Sequence, residues 1–221
     1  MKHVVFCLPG PPTMNAVESW DALRDSFVEH PDLKVTRVRG SGSSVRHVRN
    51  QLLEHGVKGL KKDALPFGGM AYDYMMWIDS DSVYTPDDFY KLLELDVDIA
   101  TGLVPIDTEG KGAVGKFNNW KEMQYLNLHS VSREDPPFEV DFCGFAFVLV
   151  RYGVFERMGY PWFTTSYFHV DGRTIDPSED IGWCIKASAN GFKVTVHPGV
   201  RIGHDKRVIL EVPGPLAAGT Q

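Results

Sequence analysis

The sequence predicts an α/β fold in which a mostly parallel central sheet is flanked by helices. Short apolar runs bounded by turn residues alternate with segments whose apolar residues recur at helical spacing. One run, Met75 to Ile78, is apolar without alternation, which is typical of a strand buried on both faces. Strands that alternate with helices indicate a parallel sheet covered on both sides. With 221 residues, 43% of them hydrophobic, the chain can build one sizeable core.

The first half of the chain has a β-α-β-α pattern. Val4 to Leu8 predicts a strand that ends in a Pro/Gly loop, and Leu33 to Val38 predicts a second strand by alternation. Asn15, with Glu18 three residues later, predicts a capping box at the start of the first helix. The apolar positions of that helix are Val17, Trp20, Leu23 and Phe27, and those of the second are Val45, Val48, Leu52 and Leu53, with Gly56 closing it.

The second half continues the alternation with one interruption. Thr85, Pro86 and Asp88 predict a capping box and a helix to about Leu95, followed by a strand over 99–104. From 105 to 137 the periodicity fades, which predicts a lid or binding loop. Further elements are a strand over 142–150, a short helix over 152–158, a helix that ends at 190–191 and a strand over 193–197. We expect one domain over 1–211 and a flexible tail or linker over 212–221.

Composition excludes several classes of protein. The net charge of −6 offers no broad basic surface, so we expect no nucleic-acid partner. The three cysteines, Cys7, Cys143 and Cys184, form no C-x-x-C pair, which argues against a disulfide framework or a zinc site. No apolar stretch is long enough for a signal-peptide core or a membrane span. We therefore expect a cytoplasmic protein, in the host cytoplasm if the source is viral.

Asp79 and Asp81 are the strongest indication of a functional site. They follow the apolar run directly, and in an extended chain side chains two residues apart point to the same side. Ligands of parallel sheets collect beyond the carboxyl ends of the strands, where these acids are expected. The next helix is already capped by Thr85 and Asp88, so neither acid is needed as a cap.

A second acidic cluster opens the helix that ends at 190–191. Asp176 as N-cap, Pro177 at the first helical position and Glu179 at the third would form a capping box, which explains Glu179 structurally. Asp180 has no such explanation. It lies in the first turn, where the helix dipole favours the ionised form that a proton acceptor needs, although a solvated first-turn acid is the simpler alternative.

His204 follows the last predicted strand, beside Gly203. A single histidine is usually a surface or packed residue. If Asp81 and substrate phosphates hold a divalent cation, however, one imidazole nitrogen would favour Mn²⁺ over Mg²⁺.

The order of these three clusters resembles nucleotide-sugar glycosyltransferases of the GT-A fold, most closely the small family 2 enzymes found in bacteria, phages and large DNA viruses. Two further segments resemble this family. Segment 46–50 is similar to its arginine-asparagine helix start near the nucleotide. Segment 140–151, with the helix after it, resembles the glycine-bearing strand and helix that line the donor-sugar and acceptor pocket. One departure is the segment 37–40, Arg-Val-Arg-Gly, where many relatives place an acid that holds the base and ribose.

The resemblance implies a single GT-A (Rossmann-like) domain with a smaller antiparallel part near the acceptor site. It implies an inverting, metal-dependent transfer of a hexose from a nucleoside-diphosphate sugar to a hydroxyl of a carbohydrate or glycan acceptor. The donor is taken as a UDP-sugar, the commonest case, and the cofactor as Mn²⁺ or Mg²⁺. Asp180 is the implied general base, and the implied metal ligands are Asp79, Asp81 and His204. The implied donor-binding residues are Pro9, Arg46, Arg49, Asn50, Asp79, Ser80, Asp81, Asp141, Gly144 and Glu179.

Two other functions stay open at this point. An apolar strand followed by Asp-x-Asp also fits haloacid-dehalogenase-like phosphatases that use Mg²⁺, with Asp79 as nucleophile and Asp81 as acid/base. That family usually carries the motif on its first strand, whereas two βα units precede it here. A non-catalytic module that only binds a nucleotide-sugar would need no Asp180. Among the aromatic residues, Trp162 and Tyr167 are candidates for stacking on an acceptor sugar, and Trp120 for covering the core.

Overall fold

The computed structural model describes residues 1–54, 63–118, 122–164, 168–170, 173–175 and 177–206. The α-helices are α1 (Met14–Ser26), α2 (Val45–Leu53), α3 (Pro86–Glu94), α4 (Val154–Met158) and α5 (Glu179–Ala189). The strands of the first half are β1 (Lys2–Pro9), β2 (Leu33–Gly40), β3 (Tyr74–Ile78), β4 (Ser82–Val83), β5 (Ile99–Leu103) and β6 (Lys111–Asn118). Those of the second half are β7 (Glu122–Asn127), β8 (Phe138–Val140), β9 (Phe142–Cys143), β10 (Phe147–Arg151), β11 (Phe168–Val170), β12 (Arg173–Ile175), β13 (Val194–Arg201) and β14 (Gly203–His204). Gly56, Trp120, Tyr167, Asp176 and the predicted tail lie outside the described residues.

A seven-stranded sheet in the order β2-β1-β3-β10-β5-β13-β8 forms the centre of the protein. β1 is parallel to β2 and to β3, and β5 is parallel to β13. β10 is antiparallel to both of its neighbours, β3 and β5, so β3 and β5 run in the same direction. Only β10 and the edge strand β8 oppose the others. The predicted fold class, a mostly parallel sheet with flanking helices, is confirmed.

Helices cover both faces of this sheet, which explains why β3 and most of β1 and β10 are apolar and buried. On one face, alternate residues of β1 and β3, such as Val5 and Trp77, share a cluster with residues of α2, α4 and α5. On the other face, Phe6 and Met76 pack with residues of α1 and α3. Phe6 meets Trp20 of α1 edge to face, with ring centroids 5.3 Å apart. In the described part of the chain, no helix has the length and apolar character needed to cross a bilayer.

Two helix starts test the capping predictions. The box at α3 is confirmed, because the Asp88 carboxylate accepts from the backbone N–H of Thr85 at 2.9 Å. The prediction at α1 is wrong: Thr13 is the N-cap and its Oγ1 accepts from the N–H of Ala16 at 3.3 Å. Asn15 instead donates to Asp205. Thr and Asn both suit an N-cap, so composition alone does not choose between neighbouring candidates.

The lid or loop predicted over 105–137 is wrong. β6 and β7 form an antiparallel hairpin there, and β9 adds a third strand. The hydrophobic alternation is weak because two glycines interrupt β6. One of them, Gly115, is required because the backbone of β7 and the ring of Phe142 lie close to it. A Cβ at 115 would lie 2.2 Å from the carbonyl oxygen of Gln124 and 2.6 Å from the Phe142 ring. The smaller antiparallel part of the fold is therefore present, and the apolar run after it divides into β9 and β10 rather than forming one strand.

Candidate functional site

Asp79 and Asp81 lie in a tight turn that leaves the end of β3. The N–H of Ser82 donates to the carbonyl of Asp79 at 3.2 Å, so the extended geometry predicted for the pair is wrong. The turn is fixed on both sides, by the N–H of Asp79 donating to Ala146 and by the carbonyl of Ser80 accepting from Thr13. Both acids nevertheless line one cleft of about 210 Å³ at this edge of the sheet.

The end of β1 and the loop after β2 form the opposite wall of this cleft. Pro9, a predicted donor-binding residue, lines it together with Gly10, Gly42, Val45 and Val48, none of which was predicted as a site residue. Gly10 has φ +85°, and a Cβ there would lie 2.9 Å from the hydroxyl of Ser80. The available signal was the Pro-Gly loop directly after the first strand, because neighbouring parallel strands end at the same edge.

His204 reaches Asp81 although 123 positions separate them. β14 pairs with β4, which sets His204 opposite Ser82, and its Nε2 lies 2.8 Å from Oδ2 of Asp81. Its Nδ1 lies 3.1 Å from the carbonyl oxygen of Pro105. With oxygen acceptors on both sides, Nδ1 donates to Pro105 and Nε2 donates to Asp81. With an ion bound beside Asp81, Nε2 would instead be a ligand, and the bond from Nδ1 to Pro105 would be the outer hydrogen bond that metal-bound histidines make.

The donor set of Asp81 and His204 fits a divalent ion that takes its remaining ligands from water and phosphate. Neighbouring ligands of a small octahedral ion lie about 3 Å apart, close to the observed separation of 2.8 Å. No group of three or more His, Cys, Asp and Glu residues that could hold an ion occurs in the described ranges. An all-protein metal cage is therefore not built into this part of the chain.

Arg49 of α2 joins Asp79 to Glu179 at the start of α5. Its Nη2 donates to both Asp79 oxygens, at 2.9 and 3.1 Å, and its Nη1 donates to Glu179 at 2.5 Å. Burial raises the pKa of the Asp79 and Glu179 carboxyls, and the positive charge of Arg49 opposes that shift. Asp79 is thus engaged by arginine. Its role as a metal ligand stays a prediction, and binding an ion would require Asp79 to give up a hydrogen bond to Arg49.

The capping role predicted for Glu179 is wrong. Ser178 occupies the N-cap position and Glu179 is the first residue of α5, so its side chain cannot reach back as a third-position acid would. The side chain pairs with Arg49 instead. A buried ion pair between residues 130 positions apart leaves no local pattern from which it could have been predicted.

Asp180 is partly exposed, and its side chain lies beside Gly144. Its Oδ1 accepts from the N–H of Ile181 at 2.8 Å and from the hydroxyl of Ser178. A Cβ at Gly144 would lie 3.5 Å from the other oxygen, Oδ2. Burial and, second, the charge of Asp180 raise the pKa of Tyr125 on β7, so the hairpin reaches toward this acid. The structure therefore brings Gly144 and Asp180 together.

The remaining predicted residues fall into three environments. Arg46 lies exposed on α2. Asn50 uses its side-chain amide to hold the backbone of Phe163, donating at 2.9 Å and accepting at 3.2 Å. Asp141 accepts from the N–H of Phe117 at 2.7 Å and lines a separate cavity of about 180 Å³ with Glu139 and Cys184. Asp141 is not brought to the cleft of Asp79 and Asp81.

The stacking role predicted for Trp162 is wrong. Its side chain is 0% exposed and belongs to the cluster beneath α5. Aromatic residues near a site more often complete the core than bind a sugar, because a large ring gains more from full burial.

Comparison with known proteins gives structural neighbours only. No protein-family model matches the chain, and no curated protein matches it by sequence. A197 from STIV aligns with a TM-score of 0.52 at 16% identity, over 97% of this chain and 99% of that one. GalNAc-T7, solved with UDP, GalNAc and Mn²⁺, aligns with a TM-score of 0.56 at 12% identity. The chain has a GT-A-like fold.

Because the sequence identities are low, these alignments show the GT-A-like fold alone. The alignment covers all of this chain but 46% of GalNAc-T7, so the chain spans about half the length of that protein. PcManGT, a mannosyltransferase from Pyrobaculum calidifontis solved with GDP-Man and Mn²⁺, aligns with a TM-score of 0.49 at 11% identity, over 91% of this chain and 56% of that one.

Proposed function

We propose that the protein is a metal-dependent glycosyltransferase that moves a hexose from a nucleoside-diphosphate sugar, in the first instance a UDP-sugar, to a hydroxyl of a carbohydrate or glycan acceptor. The observation that carries this proposal is the joining of three distant parts of the chain at one edge of the sheet. His204 contacts Asp81, and Arg49 bonds both Asp79 and Glu179, the residue before Asp180. The GT-A-like fold supports it, because GalNAc-T7, which shares this fold, is solved with UDP and Mn²⁺.

Asp81 and His204 are the residues that would hold Mn²⁺ or Mg²⁺. Such an ion supplies positive charge to the departing diphosphate. Arg46 and Ser80 lie at the same edge and are assigned to the donor, with Pro9 at the end of β1. Arg46, which is exposed in the first turn of α2 next to the cleft-lining Val45, is the arginine assigned to a phosphate.

Asp180 acts as the general base in this proposal. The acceptor hydroxyl oxygen forms a bond to the anomeric carbon while the bond from that carbon to the diphosphate breaks on the opposite face. The hydroxyl proton passes to the Asp180 carboxylate, whose Oδ2 lies beside Gly144. Attack from the face opposite the leaving group inverts the configuration at the anomeric carbon.

The phosphatase alternative has less support from the geometry. A nucleophilic Asp79 needs an oxygen free to attack phosphorus, and both of its oxygens accept from Arg49. The acid pair also follows β3, the third strand along the chain, rather than the first.

The test is transfer from, or hydrolysis of, a panel of UDP- and GDP-sugars with Mn²⁺, by wild type and Asp180→Asn. The variant is expected to lose about 10²- to 10⁴-fold in turnover, the usual contribution of a general base, with UDP–Mn²⁺ binding unchanged. Asp87→Asn, an exposed first-turn acid of α3, is the matched control. Near-normal turnover by Asp180→Asn would refute the base assignment, and NMR of the product anomer would test inversion.

A further inference from the structure

We infer that Arg49 and Glu179 form an internal strut that positions Asp180, and that neither binds the donor. This inference rests on the proposed function, because it assigns the strut to the acid proposed as the general base. It also replaces the donor-binding roles that the sequence suggested for both residues.

The first support is the enclosure of Arg49. Its side chain is 3% exposed, and that of Glu179 is 15% exposed. The guanidinium lies 5.2 Å from the ring centre of Phe145 and 5.8 Å from that of Phe163, so two aromatic rings confine it. A diphosphate could reach this group only by displacing a carboxylate that already pairs with it.

The second support is the division of its hydrogen bonds. Nη2 is directed to the turn after β3, and Nη1 is directed to the first residue of α5. The guanidinium is planar and rigid, so the two bonds fix the separation of the elements that they join. The guanidinium lies between two carboxylates, so removing Arg49 leaves Asp79 and Glu179 uncompensated, whereas removing Glu179 leaves the Arg49–Asp79 pair.

The third support is the position of Asp180 directly after Glu179. Anchoring Glu179 fixes the first turn of α5, and the N–H of Ile181 then holds Oδ1 of Asp180. These constraints leave Oδ2 facing Gly144. The strut therefore sets the distance between the proposed base and the turn that carries Asp81.

The test compares Glu179→Ala, Glu179→Gln and Arg49→Lys in transfer and in UDP–Mn²⁺ binding by calorimetry. Glu179→Ala is expected to lower kcat about 10²-fold, the cost of misplacing a catalytic group by about 1 Å, and to change the UDP–Mn²⁺ Kd less than about twofold. Glu179→Gln keeps an acceptor oxygen for Arg49 and is expected to recover most of the lost rate. Arg49→Lys keeps the positive charge but not the two guanidinium nitrogens that bond separate carboxylates, and its kcat is expected to lie between those of the two Glu179 variants. Arg24→Gln, in an exposed ion pair of α1, is the matched control.

A diphosphate-binding role would give the opposite pattern. Arg49→Lys would then weaken UDP–Mn²⁺ binding at least about tenfold, and Glu179→Ala would leave kcat near normal; either result overturns the strut. If Arg49 variants do not fold, the two Glu179 variants decide the question.

A double-mutant cycle on thermal unfolding separates the strut from the proposed function, because it needs no substrate. The losses in Tm of Arg49→Met and Glu179→Ala are expected to be less than additive in the double variant. Additive losses would overturn the strut. A wild type that neither binds UDP–Mn²⁺ nor transfers sugar would refute the proposed function, and the cycle would still test the pair.

Discussion

His204 depends on a short strand for its position. The two-residue pairing of β14 with β4 brings its imidazole beside Asp81, and the carbonyl of Pro105 fixes the ring from the other side. The sequence singled out His204 but not the residues that orient it, because a contact with a backbone carbonyl has no sequence signature. Its role as a metal ligand stays a prediction.

We expect His204→Ala to weaken Mn²⁺ binding in the presence of UDP at least about tenfold, the lower end of what losing even an outer partner costs a metal site. Preference for Mn²⁺ over Mg²⁺ should fall as well, because the remaining donors are oxygens. Metal titrations of donor hydrolysis measure both effects. His129→Ala, at an exposed histidine, is the control, and an unchanged Mn²⁺ requirement would remove His204 from the ligand set.

Tyr74 provides a prediction on pH. Burial and, second, its hydrogen bond to Asp96 raise the pKa of Tyr74 to about 12. Because the folded pKa lies above the unfolded value of 10, the contribution to the free energy of unfolding is complete below pH 10 and is lost as pH rises toward 12. Urea unfolding of wild type and Tyr74→Phe should therefore show a steeper alkaline decline for wild type. Parallel declines would contradict the assigned shift.

At the scale of elements, apolar runs were the reliable signal. β1, β3 and β5 were predicted because burial on both faces demands continuous apolar sequence. The hairpin of β6 and β7 was missed because two positions on β6 are glycines that allow close backbone approach, and glycine contributes no hydrophobic signal. The start of α5 was placed too early because a Pro-x-Glu pattern fits a capping box equally well two residues upstream.

The close approach at Gly115 gives a prediction for this hairpin. Gly115→Ala places a methyl group against the backbone of β7 and the ring of Phe142, so strands must separate. We expect the free energy of unfolding to fall by about 1–3 kcal/mol, the usual cost of overpacking. Chemical denaturation measures it, with Lys116→Ala on the exposed neighbour as control. Equal stability of the two variants would show that the hairpin accommodates the added methyl group without loss of stability, and would contradict this prediction.

For the whole molecule, the topology confirmed the mostly parallel sheet that the alternation of strands and helices predicted, with two exceptions. The reversed directions of β10 and of the edge strand β8 were not predicted, because a strand carries no sequence signal for its direction. Likewise, the position of the site followed from the rule that parallel strands present ligands at their carboxyl ends. The family resemblance named Arg49, Glu179 and His204, but the bonds that join them to the turn could not be predicted, since these residues come from α2, α5 and β14.

Ligand stabilisation tests the site without knowledge of the acceptor. A nucleoside diphosphate with Mn²⁺ is expected to raise the Tm, since a ligand at 100 times its Kd stabilises the native state by about 2.7 kcal/mol. UDP, GDP, ADP and CDP, each with Mn²⁺ or EDTA, would identify the base. Asp81→Ala should abolish the shift, whereas the exposed acid variant Asp21→Ala should keep it. A shift that persists in EDTA would exclude a metal-bridged diphosphate.

The reversed strand β10 has a consequence for synthesis of the chain. β3 is buried along its whole length, and one of its two edges is paired only when β10, which lies after β5 and the hairpin, has been made. Until then the nascent chain carries an apolar strand with unpaired backbone N–H and C=O groups on one edge. Such an edge can pair with a strand of another chain and cause aggregation. Truncation before residue 147 should therefore yield insoluble product rather than a smaller folded unit.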